Sequence, residues 1–189
     1  MSAGLKPLIK WDCMKCLQEC REACGGHGYS AFARFGNWKE DYDVNLTWEG
    51  DNNVLIQQTI RWLLTAYQKG RFAQYESLKP LEEPGLEKFD GNDLIGVLKW
   101  KVMSLLEESV GALGKEGLTS WNSLQAICLQ KMALSLGEYF SAHRLREEIK
   151  ILPGAGNKEM MTQLLENFCL SKILADIGEY RKDDFMTSE

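Results

Sequence analysis

Apolar side chains recur at separations of three and four residues along most of this chain, and no stretch shows the sustained alternation of a half-buried strand. This spacing gives each of a series of helices one apolar face. The four prolines, Pro7, Pro80, Pro84 and Pro153, are expected to mark breaks, because proline is poorly tolerated inside a helix. We therefore predict an all-α fold, a helical bundle whose hairpins are joined by short connections.

Capping residues and glycines set the predicted boundaries. Residues 8–24 form a first helix, and residues 25–53, rich in Gly, Asn and Asp, form a long loop-rich insert. The later helices run from the capping cluster at 51–53 to Gly70, from Asn92 or Asp93 through Leu113, from Thr119 or Ser120 to about Lys150, and from Asn157 to near Tyr180. Gly111, Gly114 and Gly117 are expected to end the second of these, and residues 71–90 form a linker.

Composition narrows the class of protein. The net charge is −5, from 22 Lys and Arg against 27 Asp and Glu, so general nucleic-acid binding is disfavoured. The apolar runs are too short to span a membrane, and no secretory signal begins the chain. The six cysteines then favour a reducing compartment with free thiols.

Four cysteines, Cys13, Cys16, Cys20 and Cys24, form a stripe on the first predicted helix. A straight helix spreads them over about 16 Å, which suits one tetrahedral metal ion poorly. Cysteine also packs as a small hydrophobe, so we favour a buried core stripe. Metal or redox chemistry is the alternative.

A glycine-rich segment follows at Gly25, Gly26 and Gly28. It is either a helix C-cap with a turn or a backbone nest whose N–H groups meet an anion such as a pyrophosphate. The nearby His27, like His143, lacks a visible catalytic partner, and we interpret both as exposed loop residues.

The segment from Thr47 to Asn53 places Glu49 between Trp48 and Gly50. The carboxylate either complements the dipole of the next helix or acts as a general base. As a base it would be desolvated by the aromatic surface, which raises the pKa of a carboxyl.

These two segments together resemble acyl-CoA oxidases. The resemblance lies in Glu-Cys-Arg-Glu-Ala-Cys-Gly-Gly-His-Gly-Tyr at 19–29, in Thr-Trp-Glu-Gly-Asp-Asn-Asn-Val-Leu at 47–55, and in Gln57 and Gln58. The match is dense over residues 5–70 and weak afterwards, and the residues of the motifs are most similar to those of the branched-chain (pristanoyl-CoA) oxidase branch. The later helices are compatible with the C-terminal helical domain of that family.

The resemblance implies an FAD-dependent oxidase of peroxisomal fatty acid β-oxidation, a part of lipid metabolism. Such an enzyme converts a fatty acyl-CoA to a trans-2-enoyl-CoA and reduces O2 to hydrogen peroxide. Glu49 matches the catalytic base, with Trp48, Glu49 and Gly50 at the substrate, and Trp48 stands where dehydrogenases usually carry Tyr. The implied flavin contacts, with the glycine loop often acting across a subunit interface of a homodimer, are Glu22, Gly25, Gly26, Gly28, Asp51 and Asn53.

The chain departs from the family in length, since members also carry an N-terminal helical domain and a β-domain. We expect residues 1–70 to be the end of the dehydrogenase-like helical core, 71–90 a linker, and 91–189 a truncated second helical domain. The isolated chain is expected to bind FAD poorly and to be nearly inactive. A non-catalytic helical fragment or isoform that acts only by association is the alternative function. The family implies the peroxisome, whereas a free-standing fragment without a targeting signal is expected in the cytosol.

Overall fold

A computed structural model describes residues 1–116 and 121–187 of the chain, and within these ranges the chain is mostly helical and contains no β-strand. The all-α prediction is therefore confirmed. The predicted boundaries at Gly117, Thr119 and Ser120 lie outside the described residues. The α-helices are α1 (Ser2–Ala23), α2 (Gly25–Tyr29), α3 (Phe35–Asp43), α4 (Asn52–Gln68), α5 (Leu94–Glu116), α6 (Trp121–Leu124), α7 (Gln130–Ile151), α8 (Ala155–Ala175) and α9 (Ile177–Tyr180).

The chain forms two compact units, Met1–Arg61 and the residues from Trp62 onward, and the boundary between them in the sequence falls within α4. In the first unit, α1 contacts α2, α3 and the 3-10 turn Val44–Leu46. In the second unit, α5 packs against α7 and α8, and α7 packs against α8. The division into domains at residues 70 and 90 stays a prediction.

Residues 25–53 are not the long loop that the sequence predicts, because two short helices interrupt them. Ser30 ends α2 in an extended conformation, and its hydroxyl accepts a hydrogen bond from the backbone N–H of Phe32 at 3.4 Å. Arg34 then takes a left-handed conformation with φ 59° just before α3. The abundant glycines and polar residues therefore separate short helices.

Proline and glycine are also weaker breaks than expected. Pro7 lies inside α1 and is buried, at the loss of one intrahelical hydrogen bond. Helix α5 continues through Gly111 and Gly114 to Glu116, because packing against α7 and α8 offsets a cost of about 1 kcal/mol per glycine. By contrast, the predicted break at Pro153 is confirmed.

The last long helix begins earlier than predicted. Helix α8 starts at Ala155 behind Gly154, which adopts φ 85°. Asn157 is therefore not the cap. Its side-chain amide donates to the carbonyl of Pro153 at 3.2 Å, from inside the helix.

Residues 71–90 belong to the second unit and contact α5. They contain the 3-10 turns Phe72–Gln74 and Lys79–Leu81, and Leu78 is fully buried. The ammonium group of Lys99 on α5 donates to the carbonyls of Pro80 and Glu83, each at 2.7 Å. The segment thus packs on α5, and its role as a linker between domains stays a prediction.

Candidate active site

The turn before α4 is built around the N-terminus of that helix. One carboxylate oxygen of Asp51 accepts hydrogen bonds from the backbone N–H groups of Asn53 at 2.9 Å and Val54 at 3.3 Å. Two N–H groups without an intrahelical acceptor are thereby satisfied, which is the usual role of an N-cap aspartate. The predicted start of this helix is confirmed.

Glu49 and Gly50 make the chain turn sharply just before this cap. Glu49 has φ 56° and Gly50 has φ 104°. The left-handed conformation costs a non-glycine residue about 1–2 kcal/mol. The backbone therefore presents Glu49 in a strained conformation that surrounding contacts must maintain.

Lys6 on α1 supplies those contacts. Its ammonium group donates to the carbonyl oxygen of Gly50 at 2.6 Å and to the side-chain oxygen of Asn52 at 2.9 Å. Asn52 is 1% exposed, so this hydrogen bond lies at the buried edge of the turn. Sequence reasoning missed Lys6, because it lies more than forty residues before the turn it holds.

The side chains on the outer side of the turn are open to solvent. Glu49 is exposed, and Trp48 is 53% exposed with its indole N–H donating to the side-chain oxygen of Asn45 at 3.1 Å. The expectation that aromatic surface desolvates Glu49 is therefore not met within the described part of this chain. Asn53 is exposed as well, and Asp51 is half-buried.

The glycine segment forms the short helix α2. A β-carbon at Gly25, which has φ 56°, or at Gly26 would meet no atom within 4 Å, so this backbone is open. Gly28 differs, because a β-carbon there would lie 2.0 Å from the carbonyl oxygen of Arg21. Gly28 is thus required by packing on α1, and its contact with a flavin stays a prediction.

Glu22 lies exposed at the end of α1. It forms an ion pair with Arg21 at 3.5 Å and accepts a hydrogen bond from the side-chain amide of Gln18. The Gln18 side chain in turn accepts a hydrogen bond from Lys39 on α3.

The structure does not bring the two predicted motifs together. Lys6, which holds the turn at Glu49, and Glu22, next to the glycines, are separated by about 24 Å along α1. Within one chain, the Glu49 turn and the glycine segment therefore lie toward opposite ends of α1.

The prediction of a buried cysteine stripe is wrong. Cys13, Cys16 and Cys20 on α1 and Cys24 just after it are all exposed, whereas Cys128 and Cys169 are the buried cysteines. The face of α1 that the first unit buries instead includes Gly4, Pro7 and Leu8. Among the residues that the structure describes, no group of three or more His, Cys, Asp or Glu side chains is arranged to hold a metal ion.

The two histidines differ from each other. His27 is exposed as expected, although it lies in α2. His143 is half-buried in α7, with its ring edge-on to Tyr139 at 5.8 Å between centroids, so its assignment to a loop is wrong. Burial and the nearby Arg146 lower the pKa of His143.

Among the described residues, no helix is long and apolar enough to cross a bilayer.

Comparison with known proteins assigns the whole fold to one family. Residues 1–64 match the C-alpha1 domain of acyl-CoA oxidase, and residues 90–189 match the acyl-CoA oxidase family. The chain belongs to the acyl-CoA oxidase family. The resemblance seen in the two sequence motifs is confirmed at the level of the family.

Two curated relatives show how much of an oxidase the chain covers. Human peroxisomal acyl-coenzyme A oxidase 3 is 38% identical over an alignment of 144 positions, and the alignment covers 67% of this chain and 21% of that protein. Peroxisomal acyl-coenzyme A oxidase 2 of Arabidopsis thaliana is 32% identical, over 98% of this chain and 30% of its own length. The chain thus spans less than a third of either relative.

Solved structures share the fold over nearly the whole chain. Acyl-CoA oxidase 3 of Yarrowia lipolytica superposes with a TM-score of 0.82 at 29% identity, over 99% of this chain and 29% of that one. Acyl-CoA oxidase 1 of Caenorhabditis elegans, crystallised with FAD and ATP, gives a TM-score of 0.86 at 18% identity, over 99% and 31%. The second likeness supports the fold alone.

Proposed function

We propose that this chain is the portion of an acyl-CoA oxidase that carries the catalytic base, Glu49. The reaction is the α,β-dehydrogenation of a fatty acyl-CoA to a trans-2-enoyl-CoA in peroxisomal β-oxidation. The observation that carries the proposal is the strained turn at Glu49, fixed by Lys6 at the head of α4, in a chain of this family.

The proposed role of Glu49 follows from the chemistry of a thioester. Its carboxylate removes a proton from the carbon next to the thioester carbonyl, while its backbone N–H donates to the thioester oxygen, where negative charge develops. The contacts of Lys6 and Asp51 hold the backbone on the C-terminal side of Glu49 in place before substrate binds. Trp48 and Gly50 form the adjoining substrate wall.

The residues proposed to hold FAD fit such a group in part. The open backbone at Gly25 and Gly26 leaves room for close approach of a phosphate, and Glu22 and Asn53 are exposed polar side chains. Asp51 already uses one oxygen for its helix cap. When bound, FAD would supply the acceptor for the β-hydride and the reduction of O2 to hydrogen peroxide.

The distance along α1 supports a homodimer. Lys6, which contacts the Glu49 turn, and Glu22, which precedes the glycine segment, are about 24 Å apart along α1, which disfavours a single reacting centre served by both segments of one copy. We infer that the glycine segment of one copy serves the flavin beside Glu49 of a second copy. The peroxisomal location proposed for this chain rests on relatives such as the human oxidase.

A chimera tests the role of Glu49. Residues 1–189 would replace the corresponding part of the Yarrowia lipolytica oxidase 3, whose fold they share. We expect oxygen consumption with an acyl-CoA, and a loss of about 10²–10⁴-fold on Glu49→Gln. Glu40→Gln, at another exposed carboxylate, is the control and should leave the rate unchanged. A folded, flavin-loaded chimera with a fully active Glu49→Gln variant would contradict the proposal.

The isolated chain is a different case. Because it spans less than a third of its relatives, we expect it to bind FAD weakly and to turn over little acyl-CoA. Absorbance of the purified chain between 350 and 500 nm, roughly the range of flavin bands, reads out the cofactor directly. A yellow chain that releases peroxide with an acyl-CoA would overturn this expectation.

The second candidate function, association without catalysis, is favoured by exposed apolar side chains. Phe32 is fully exposed, Tyr29 is 86% exposed, and Leu174 on α8 is 67% exposed. Soluble monomers rarely display large contiguous apolar surface unless it binds a partner.

A further inference from the structure

The side-chain amide of Asn45, in the 3-10 turn Val44–Leu46, connects three parts of the first unit. Its oxygen accepts hydrogen bonds from the ammonium group of Lys10 at 3.3 Å and from the indole N–H of Trp48 at 3.1 Å. Its nitrogen donates to the carbonyl of Tyr42 at 3.0 Å. An ammonium group and an indole N–H only donate, and a carbonyl only accepts, so these contacts allow one orientation of the amide.

Trp48 is held by its backbone as well as by its indole. The backbone N–H donates to the carbonyl of Val44 at 2.9 Å, which fixes where the side chain leaves the main chain. The hydrogen bond to Asn45 then selects one rotamer, although Trp48 is 53% exposed. Without that bond, an exposed side chain exchanges between rotamers within picoseconds to nanoseconds. The indole is therefore ordered before any substrate arrives.

Helix α1 holds the chain on both sides of Glu49. Lys6 and Lys10 are one helical turn apart and lie on the same side of α1. Lys6 contacts the carbonyl of Gly50, after Glu49, whereas Lys10 contacts Asn45, before it. The ammonium group of Lys10 is itself half-enclosed, since Lys10 is half-buried. The two lysines thus fix the two ends of the segment that carries the proposed base.

We propose that Asn45 is a positioning residue for the acyl-CoA site and that Lys10 holds it in place. Asn45 fixes the indole of Trp48 as a preset wall beside Glu49. The inference rests on the proposed function in one respect, the placing of substrate against Trp48. A substrate that met a mobile indole would have to immobilise it, and ordering one such side chain weakens binding by about two- to tenfold.

The order of the indole is measured on the whole chain without substrate. Tryptophan labelled with ¹⁵N in the indole gives signals for the six tryptophans, and Trp48→Phe identifies the signal of Trp48. We expect the order parameter of this N–H to be about 0.85 in the wild-type chain and below about 0.6 in Asn45→Leu. Leucine fills a similar space but offers no acceptor to the indole.

A rescue variant and a control accompany this measurement. Asn45→Asp keeps an acceptor for Lys10 and Trp48, so the indole should stay about as ordered as in the wild type. Lys10→Met removes one contact of the amide and should lower the order parameter, although less than Asn45→Leu does. Asn37→Leu, at an exposed asparagine of α3, is the matched control and should leave the order parameter unchanged.

The chimera with the Yarrowia lipolytica oxidase 3 supplies a second readout. Asn45→Leu should raise the KM for an acyl-CoA about two- to tenfold with little change in kcat, because binding is lost equally in the ground state and the transition state. Asn45→Asp should restore the wild-type KM. Glu49→Gln is expected to lower the rate instead, so the proposal for Asn45 and the proposal for Glu49 fail on different measurements.

Three results would overturn the proposal. The first is a Trp48 indole that is as ordered in Asn45→Leu as in the wild type. The second is a wild-type KM in a chimera whose indole is mobile. The third is an equal rise in KM for Asn45→Leu and Asn45→Asp, which would show that Asn45 only stabilises the turn. Far-UV circular dichroism checks folding, and if Asn45→Leu does not fold, an unchanged indole in Lys10→Met overturns the proposal.

Discussion

Gly26 and Gly28 stand two residues apart in α2 and meet opposite surroundings. A β-carbon at Gly28 would approach the carbonyl oxygen of Arg21 to 2.0 Å and the Cys24 side chain to 3.0 Å, whereas one at Gly26 would enter open space. The same residue type therefore serves packing at one position and openness at the other. A motif written only as letters cannot separate these roles.

We predict that Gly28→Ala destabilises the first unit by about 1–3 kcal/mol, because backbone atoms must move to admit the methyl group. Gly26→Ala is the control and should be neutral or slightly stabilising, because alanine restricts the unfolded chain. Urea unfolding followed by circular dichroism gives both values. Equal stabilities for the two variants would show that α2 does not pack on α1 as described.

Lys6 is a second residue whose role depends on a distant partner. We predict that Lys6→Met leaves the oxygen of buried Asn52 without its donor and weakens the turn by about 1–3 kcal/mol. The amides of Asn53 and Val54, which donate to Asp51, should then exchange with deuterium faster, by about tenfold or more.

Lys15→Met is the control for this measurement. Lys15 is an exposed lysine on the same helix, paired only with Glu19 at 3.7 Å. It should leave the exchange of the turn unchanged. If the turn stays equally protected in Lys6→Met, the contact of Lys6 does not fix it.

At the scale of elements, the sequence predicted correctly those helix boundaries that depend only on neighbouring residues. The aspartate before α4 and the glycine after it, Gly70, mark that helix correctly, because caps act within a few residues. Residue spacing gave a wrong prediction where packing between distant segments decides. It identified a cysteine stripe on α1, but it could not show that the opposite face of this helix, at Pro7 and Leu8, is the buried one. The turn at Glu49 was located from sequence, whereas its strained backbone and its clamp from Lys6 arise only in the fold.

The helices of the second unit are joined by charges as well as by apolar packing. Lys101 on α5 is buried, with its ammonium group 3.2 Å from Glu138 on α7 and 2.5 Å from Asp176 beyond α8. Lys131 continues the network to Asp176 at 3.5 Å and to Glu179 at 2.7 Å. Spacing along the sequence did not predict this network, because its members are far apart in the chain.

We predict that this network makes stability depend on acid pH. Burial opposes the charge of Asp176, but hydrogen bonds and attraction from Lys101 and Lys131 outweigh it and hold its pKa below 3.8. The pKa of Glu179 is likewise held below 4.5 against burial, chiefly by hydrogen bonds with Lys131 and Lys182. The unfolded chain therefore binds these protons more readily. The stabilisation of the folded chain is complete above the ordinary pKa values of these carboxyls. It is lost as pH falls from those values through the lower pKa values of the folded chain.

Urea unfolding from about pH 7 to pH 3 measures this dependence. Asp176→Asn should lower stability at neutral pH by about 1–3 kcal/mol and flatten the acid slope. Glu166→Gln, at an exposed carboxylate of α8, is the control and should keep the wild-type slope. An unchanged slope in Asp176→Asn would remove the network as its cause.

For the molecule as a whole, the decisive fact is that the chain covers only 21% of the human oxidase 3 and 30% of the Arabidopsis thaliana oxidase 2. Its family predicts what a complete oxidase does, whereas its surface predicts how this chain behaves by itself. Helix α8 shows the difference, since its buried side, with Leu165, Cys169 and Ile173, packs within the second unit. The other side of α8 exposes Met160, Leu164, Leu170 and Leu174.

We predict that the chain self-associates through this exposed side of α8. The four side chains project within an arc of about 120° on a helix of 3.6 residues per turn, so they lie on one side of α8, with the polar Gln163 and Asn167 between them. The weight-average mass from light scattering should rise with concentration, and the double variant Leu164→Lys with Leu174→Lys should lower it toward one chain. A second double variant, Leu164→Gln with Leu174→Gln, removes the same apolar surface without adding charge and should also lower the mass toward one chain. If only the lysine variant lowers the mass, charge repulsion explains the effect, and the apolar side chains are not the contact.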